Sequence, residues 1–425
     1  LNTTIHERSQ IGRELEISVD EAELQQAFNE AYKTMRPRLS LPGFRPGKAP
    51  LPIVKKMHGD AIEGDAIEKL AQEKFREALE EHKIEPIGTP VMTDIHRHPG
   101  EGAHFKIQYE IRPEIELKDF AGMEVEKRII PVREEDVDRM IDRMLFRRAT
   151  HEPATVIDDA NTTVRLDFKE TTAPEGREPG HSEEEVYLGD PDVLPELRDA
   201  LIGHKAGDIV SLSLPTSRNK PGDEPGPEKK ELAEVMVLDI QKVQLPELTE
   251  ALIKEVSTEK ASTREELRNV VREELNEARA KIALEDLEER IVAKLLDIHE
   301  FEVPHTITHA ILGQMLEEMQ QENTRRGFPP NYGIDEEAFH ERNHKIAESR
   351  AKWMLLRDKL IETEQIEATD EDLDKLAEEE SKKYGLPKEN LLKYYNKQDA
   401  VKNRIVNDKL GTRLREKVHI VEKTL

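Results

Sequence analysis

The chain of 425 residues has no cysteine, which excludes disulfides, a thiol nucleophile and a Cys-ligated zinc site. Aromatic residues make up only 4%, with one tryptophan, too few for one large compact enzyme core. No apolar run approaches the roughly 18 residues that a membrane span needs. The start, LNTTIHERSQ, has no apolar h-region of a signal peptide, and Leu1 in place of Met leaves a trimmed leader open. GxGxxG and Walker A phosphate loops are missing, and Gly189-Asp190-Pro191-Asp192 reads as a turn. No Ser/His triad pattern occurs. Carboxylates are so abundant that none stands out as a general acid. His305/His309 and His340/His344 have the i, i+4 spacing that can hold zinc, but neither pair is an HExxH sequence. These pairs read as solvated helix histidines, and His96 and His98 in a strand or turn add nothing. The expectation is no metal and no small-molecule cofactor.

What the chain has is charge. Charged and apolar residues each make up 36%, which suits a helix-rich, highly solvated protein with thin cores. The length suggests two to four domains. The net charge of -26 argues against general binding to nucleic acid or anionic membrane. The charge is uneven, however. From Ala31 to Gly59 there are seven cations (Lys33, Arg36, Arg38, Arg45, Lys48, Lys55, Lys56) and no carboxylate, so this window is +7 and the remainder -33. One reading is chance clustering on a solvated face. The sharper one is a docking patch for an anionic partner, kept local by repulsion elsewhere. Within it lies LPGFRPGKAP, residues 41–50, which holds Phe44 among turn residues and cations.

Alternation in residues 11–19 predicts a strand. Asp20, with Glu23 at the capping-box position, starts an amphipathic helix over 21–36. A second helix runs from Leu51 to Glu81, followed by strands at PVMTDIH and HFKIQYEIRP. This makes an α+β domain over 1–112. Residues 113–150 read as an extended stretch and a charged helix, a linker arm returning along the C-terminal domain. Residues 151–246 hold short β-patterned runs and a short helix ending at Gly203, a small β-rich domain. Its segment Ser217–Lys230 is expected to be a mobile surface loop. From 247 to 425 the pattern is helical almost throughout, with helices at 265–296, 304–325, 335–364, 370–384 and 388–417. The fold class is therefore multidomain α+β with an extended all-α C-terminal domain. Met315 and Met319, one turn apart, and Trp353-Met354 suit either ordinary core packing or an adaptable apolar surface. Long charged helices close a globule poorly, so part of their apolar surface should line an open cradle.

The ordered set LPGFRPGKAP, LPELRDALIGHKAGD and LPELTEALIKEV with a helical tail resembles trigger factor, the bacterial ribosome-associated chaperone family, over essentially the whole chain. The resemblance implies a loop that docks beside the peptide exit tunnel of the large ribosomal subunit, on ribosomal protein and rRNA. It implies an FKBP-type prolyl isomerase middle domain, and a C-terminal domain with two arms that cradle unfolded or nascent chains. The docking residues carry over to Gly43, Phe44 and Arg45, with Gly47 and Lys48 completing the motif. Where the family often has a third docking lysine, this chain has Pro46.

The middle domain departs further. An FKBP-type pocket is aromatic and favours the twisted, less polar amide over the planar one, whose rotation barrier is about 18–20 kcal/mol. From Thr150 to Pro246 only Phe168 and Tyr187 are aromatic. Phe168 matches a pocket residue. Leu197 and Met236 stand where aromatics are expected, Val193 and Leu194 keep the apolar wall, and the flap-loop Tyr has no counterpart in 217–230. The expectation is a kept fold with weak or absent isomerase activity.

The function expected is thus an ATP-independent cytoplasmic chaperone that docks at the exit tunnel and shields nascent chains by weak multivalent apolar contacts. Met315, Met319, Trp353 and Met354 are candidate client contacts. The family and the exposed apolar helices also allow a homodimer off the ribosome. The rival readings are a protein whose main activity is prolyl isomerisation, and a ribosome-free holdase.

Overall fold

The computed structural model describes residues 2–42, 44–45, 47–98, 100, 102–170, 181–215 and 230–425. The chain begins with β1 (Asn2–Glu7), β2 (Gly12–Val19), α1 (Glu21–Met35), α2 (Leu51–His82), β3 (Pro86–His98) and β4 (Gly102–Ile111). Then come β5 (Glu124–Ile129), α3 (Glu134–Phe146), β6 (Thr150–Pro153), β7 (Thr162–Glu170), β8 (His181–Tyr187), α4 (Pro195–Leu201), β9 (Ile209–Pro215), β10 (Lys230–Gln244) and α5 (Glu250–Val256). The remainder is α6 (Arg264–Ile298), α7 (His305–Arg325), α8 (Glu336–Glu364), α9 (Asp370–Tyr384), α10 (Lys388–Tyr395), α11 (Asp399–Lys417) and β11 (His419–Thr424). The protein is mixed α and β, with a β-rich middle and a helical C-terminal region.

One compact unit comprises residues 1–125 and 288–421. Its sheet is antiparallel in the order β1-β2-β4-β3. Strand parity puts Leu15, Ile17 and Val19 of β2 and Phe105, Ile107 and Tyr109 of β4 on one buried face. Leu24, Phe28 and Tyr32 of α1 repeat every four residues and join that core with Val54, Ile62, Leu70 and Phe75 of α2. Each such large apolar side chain contributes about 1.5–3 kcal/mol on burial. As the capping pattern predicts, the Asp20 carboxylate accepts the Glu23 N–H at 2.8 Å and starts α1.

The helices of this unit follow the sequence closely, with one difference. The expected single helix over 388–417 is divided at Asn396–Gln398 into α10 and α11. The break turns Tyr395 into a cluster with Leu373, Ala377 and Ile405, where its hydroxyl donates to Glu380. Burial and that hydrogen bond push the Tyr395 phenol up to about 12.

The other compact unit comprises residues 126–287 and 422–425. Its sheet runs β6-β10-β7-β8, with β9 also on β10. The register sets Val235 opposite Phe168, Val237 opposite Leu166 and Ile240 opposite Val164, so these residues share the core face, capped by Leu197 and Leu201 of α4. A second cluster joins Val137 and Ile141 of α3 to Ile253 of α5 and to Leu267 and Val271 of α6. Cations of α6 bind carboxylates of α3: Arg268 and Arg272 each reach Glu134 at 2.7 Å, Arg268 also pairs with Asp138, and Arg279 reaches Asp136 at 2.8 Å. These arginines hold Glu134 below the usual carboxylate range. Asp136 is lowered first by the Arg133 backbone N–H and then by Arg279. Of the expected surface loop, Ser217 to Lys229 lie outside the described residues, while Lys230 opens β10.

Candidate docking loop

Residues 39–50 connect the short 3₁₀ turn after α1 to α2, and both ends of the loop are anchored. Leu41 and Ala49 are buried in the core of their unit. The Arg36 Nε donates to the Ala49 carbonyl at 3.0 Å, and the Gly47 N–H donates to the Leu39 carbonyl at 3.3 Å. The Phe44 N–H donates to the Leu41 carbonyl at 3.1 Å, and the Lys48 N–H to the Arg45 carbonyl at 2.9 Å. Gly47 has φ 75°, and a Cβ there would lie 3.1 Å from the Pro37 Cα. Only glycine meets both conditions without strain.

These anchors leave the tip outside. Phe44 is 37% exposed, and Arg45 and Lys48 are exposed beside it. Among the described residues, none of the cations from Lys33 to Lys56 has a carboxylate partner within 4.0 Å. Lys55 instead lies over the Tyr32 ring at 5.0 Å. Tyr32 in turn donates to Glu63 at 2.9 Å, and its phenol is pushed up to about 12 by burial first and by that carboxylate next. The described part of the loop therefore presents an aromatic face and positive charge without carboxylate partners, between two anchored ends. Gly43 and Pro46 lie outside the described residues.

The other sequence-derived site residues divide. In the β-rich middle, Phe168, Val193 and Leu194 pack against the cluster that contains Leu197. Met236 does not join them. It pairs with Asp167, on the face of β10 opposite to Val235 and Val237. Tyr187 also leaves the group: its ring stacks on Phe146 at 4.2 Å, its hydroxyl reaches Asn161 at 3.3 Å, and burial pushes its phenol up. In the helical region, Trp353 lines a cleft of about 220 Å³ with Ile291, Val292, Leu410 and Leu414. Met315 and Met354 are half-buried, and Met319 is exposed. No helix among the described residues is long and apolar enough to cross a membrane.

The family model described as "Bacterial trigger factor protein (TF)" matches residues 1–144, and its C-terminal counterpart matches residues 263–414. The trigger factor of Salinibacter ruber is 31% identical over 399 residues, covering 90% of this chain and 85% of that protein. That of Chlorobaculum tepidum is 30% identical over 421 residues, covering 97% and 96%. A solved structure described as "Promiscuous Substrate Recognition in Folding and Assembly Activities of the Trigger Factor Chaperone" is 22% identical with a TM-score of 0.47, covering 97% of this chain and 98% of that one. With near full-length relatives at this identity, the chain belongs to the trigger factor family of bacterial chaperones.

Proposed function

We propose that the chain docks on the large ribosomal subunit through Phe44, Arg45 and Lys48, with Gly43 and Gly47 shaping the loop, and shields emerging polypeptides in the cytoplasm without ATP. The observation that carries this reading is the anchored loop with an exposed aromatic and cations that no carboxylate of the described chain occupies. Arg45 suits a phosphate or carboxylate, Phe44 an apolar notch, and contacts to rRNA weaken with salt. Residues 1–112 form the docking domain in this reading, 113–150 the connecting arm, 151–246 the FKBP-like domain and 247–425 the two-armed chaperone domain. Trp353 in its apolar cleft, with Met315, Met319 and Met354, offers weak contacts to extended chains, and tethering at the exit tunnel raises their effective concentration.

Isomerase activity is weak or absent in this reading. Phe168 is the single aromatic side chain at its cluster among the described residues, and the departures of Tyr187 and Met236 support a pocket too aliphatic to favour a twisted amide. The deciding experiment is co-sedimentation with bacterial ribosomes over a salt series. Binding that falls as salt rises is expected; no binding at low salt overturns the reading in favour of a ribosome-free holdase or an isomerase.

A further inference from the structure

Four histidines on α7 and α8 remain outside this function. His305 and His309 are four residues apart on α7, and His340 and His344 four apart on α8, so each pair shares a helix face. On α8 that face continues into buried Ala347 and Ala351, and on α7 into buried Leu312. The rings of His309 and His340 stand 5.9 Å apart between centroids, tilted by 46°. Nearer the connection between the helices, Gln320 donates to the Asn331 side chain at 2.8 Å. The two pairings run in opposite senses along the chain, so α7 and α8 are antiparallel. One turn beyond His309 and His340, away from the connection, come His305 and His344, both exposed.

We propose that His309 and His340 form a clamp between the two helices for a divalent transition-metal ion of the zinc class, with His305 and His344 as the further ligands. The geometry fits. Zinc binds imidazole nitrogen at about 2.0–2.1 Å, which puts two ring centres about 5 Å apart at a tetrahedral angle and about 6 Å apart when the ligands are opposed. The observed 5.9 Å is wider than the tetrahedral pair by roughly 1 Å, a gap that side-chain rotation can close. Among the described residues no three ligating side chains yet converge on one point, so the ion itself would draw in His305 and His344 by side-chain rotation. Imidazole ligands select zinc, copper or nickel over magnesium and calcium. A bound ion would tie α7 to α8 and stiffen the hairpin.

The test is calorimetric titration of the metal-free full chain with zinc chloride, with amide hydrogen exchange measured beside it. One saturable site is expected. His309→Ala and His340→Ala should each weaken it roughly tenfold or more, since each removes one of the two pre-placed ligands. His305→Ala and His344→Ala should weaken it less, and His6→Ala on β1 should leave it unchanged. Zinc should slow exchange in α7 and α8 of the native chain and not of the His309→Gln/His340→Gln variant, which keeps side-chain bulk. Absence of saturable binding, or binding that survives the double variant, overturns the proposal.

Discussion

Arginine and lysine are used in two ways in this molecule. On α6, Arg268, Arg272 and Arg279 are each engaged by carboxylates of α3. Between Lys33 and Lys56 the cations have no such partner among the described residues, and Arg45 and Lys48 stand beside an exposed phenylalanine. The first arrangement is internal and structural. The second leaves charge available to something else. In a chain of net charge -26, seven cations with no carboxylate among them in sequence are a local reversal of charge, which suits an anionic partner.

The scaffold under the loop should show the largest effect. Phe28→Ala removes a buried ring from the core under the loop and should cost about 3–5 kcal/mol, read as a lower denaturant midpoint. Docking should fail with it, through unfolding and not through lost contacts. Gly47→Ala should be milder, about 1–3 kcal/mol, because it strains a left-handed position and presses on Pro37. Its docking should weaken more than its stability, since the strain falls on the loop that carries Phe44.

The paired charges should respond to pH. Lys409 and Thr369 hold Asp372 at about 2, against an ordinary value of 3.8. The lowered value means that the unfolded chain binds this proton more readily. The stabilisation is therefore present above about pH 4 and is lost as pH falls toward 2. Acid unfolding followed by circular dichroism should be less steep in that window for Asp372→Asn than for the native chain. The unpaired charges should respond to salt instead. Lys48→Ala should leave melting unchanged and reduce the slope of log affinity against log salt by about one if Lys48 meets a phosphate.

Much of the fold was legible. Helical spacing gave α1, α2 and most C-terminal helices within a few residues, because local periodicity and caps such as Asp20 and Thr369 define them. Most of what escaped depends on contacts distant in sequence. β11 pairs with β5, nearly 300 residues away, while β1, an edge strand in a hairpin with β2, was missed because its residues are mostly polar. The break between α10 and α11 follows from where Tyr395 packs. At the sites, the proposed docking tip was legible because Phe44, Arg45 and Lys48 lie close together in sequence. Its anchors were not, since the Arg36 bond to Ala49 is a matter of geometry. Met236 could have been placed from the sequence: Val235 and Val237 flank it, and strand parity sends a residue between two core valines to the other face. The Tyr187 stack on Phe146 had no such signal, because nothing local relates β8 to α3.

The exposed loop tip is expected to serve a partner and not the fold. The most direct measurement compares the native chain with Phe44→Ala/Arg45→Ala, recording ribosome co-sedimentation at low salt and melting temperature on the same preparations. The expected result is loss of binding by roughly tenfold or more, as for truncation of a buried aromatic and arginine pair at an interface, with melting unchanged. Undiminished binding would contradict the claim and move the anchor elsewhere, and a parallel fall in melting temperature would show that the tip is structural after all.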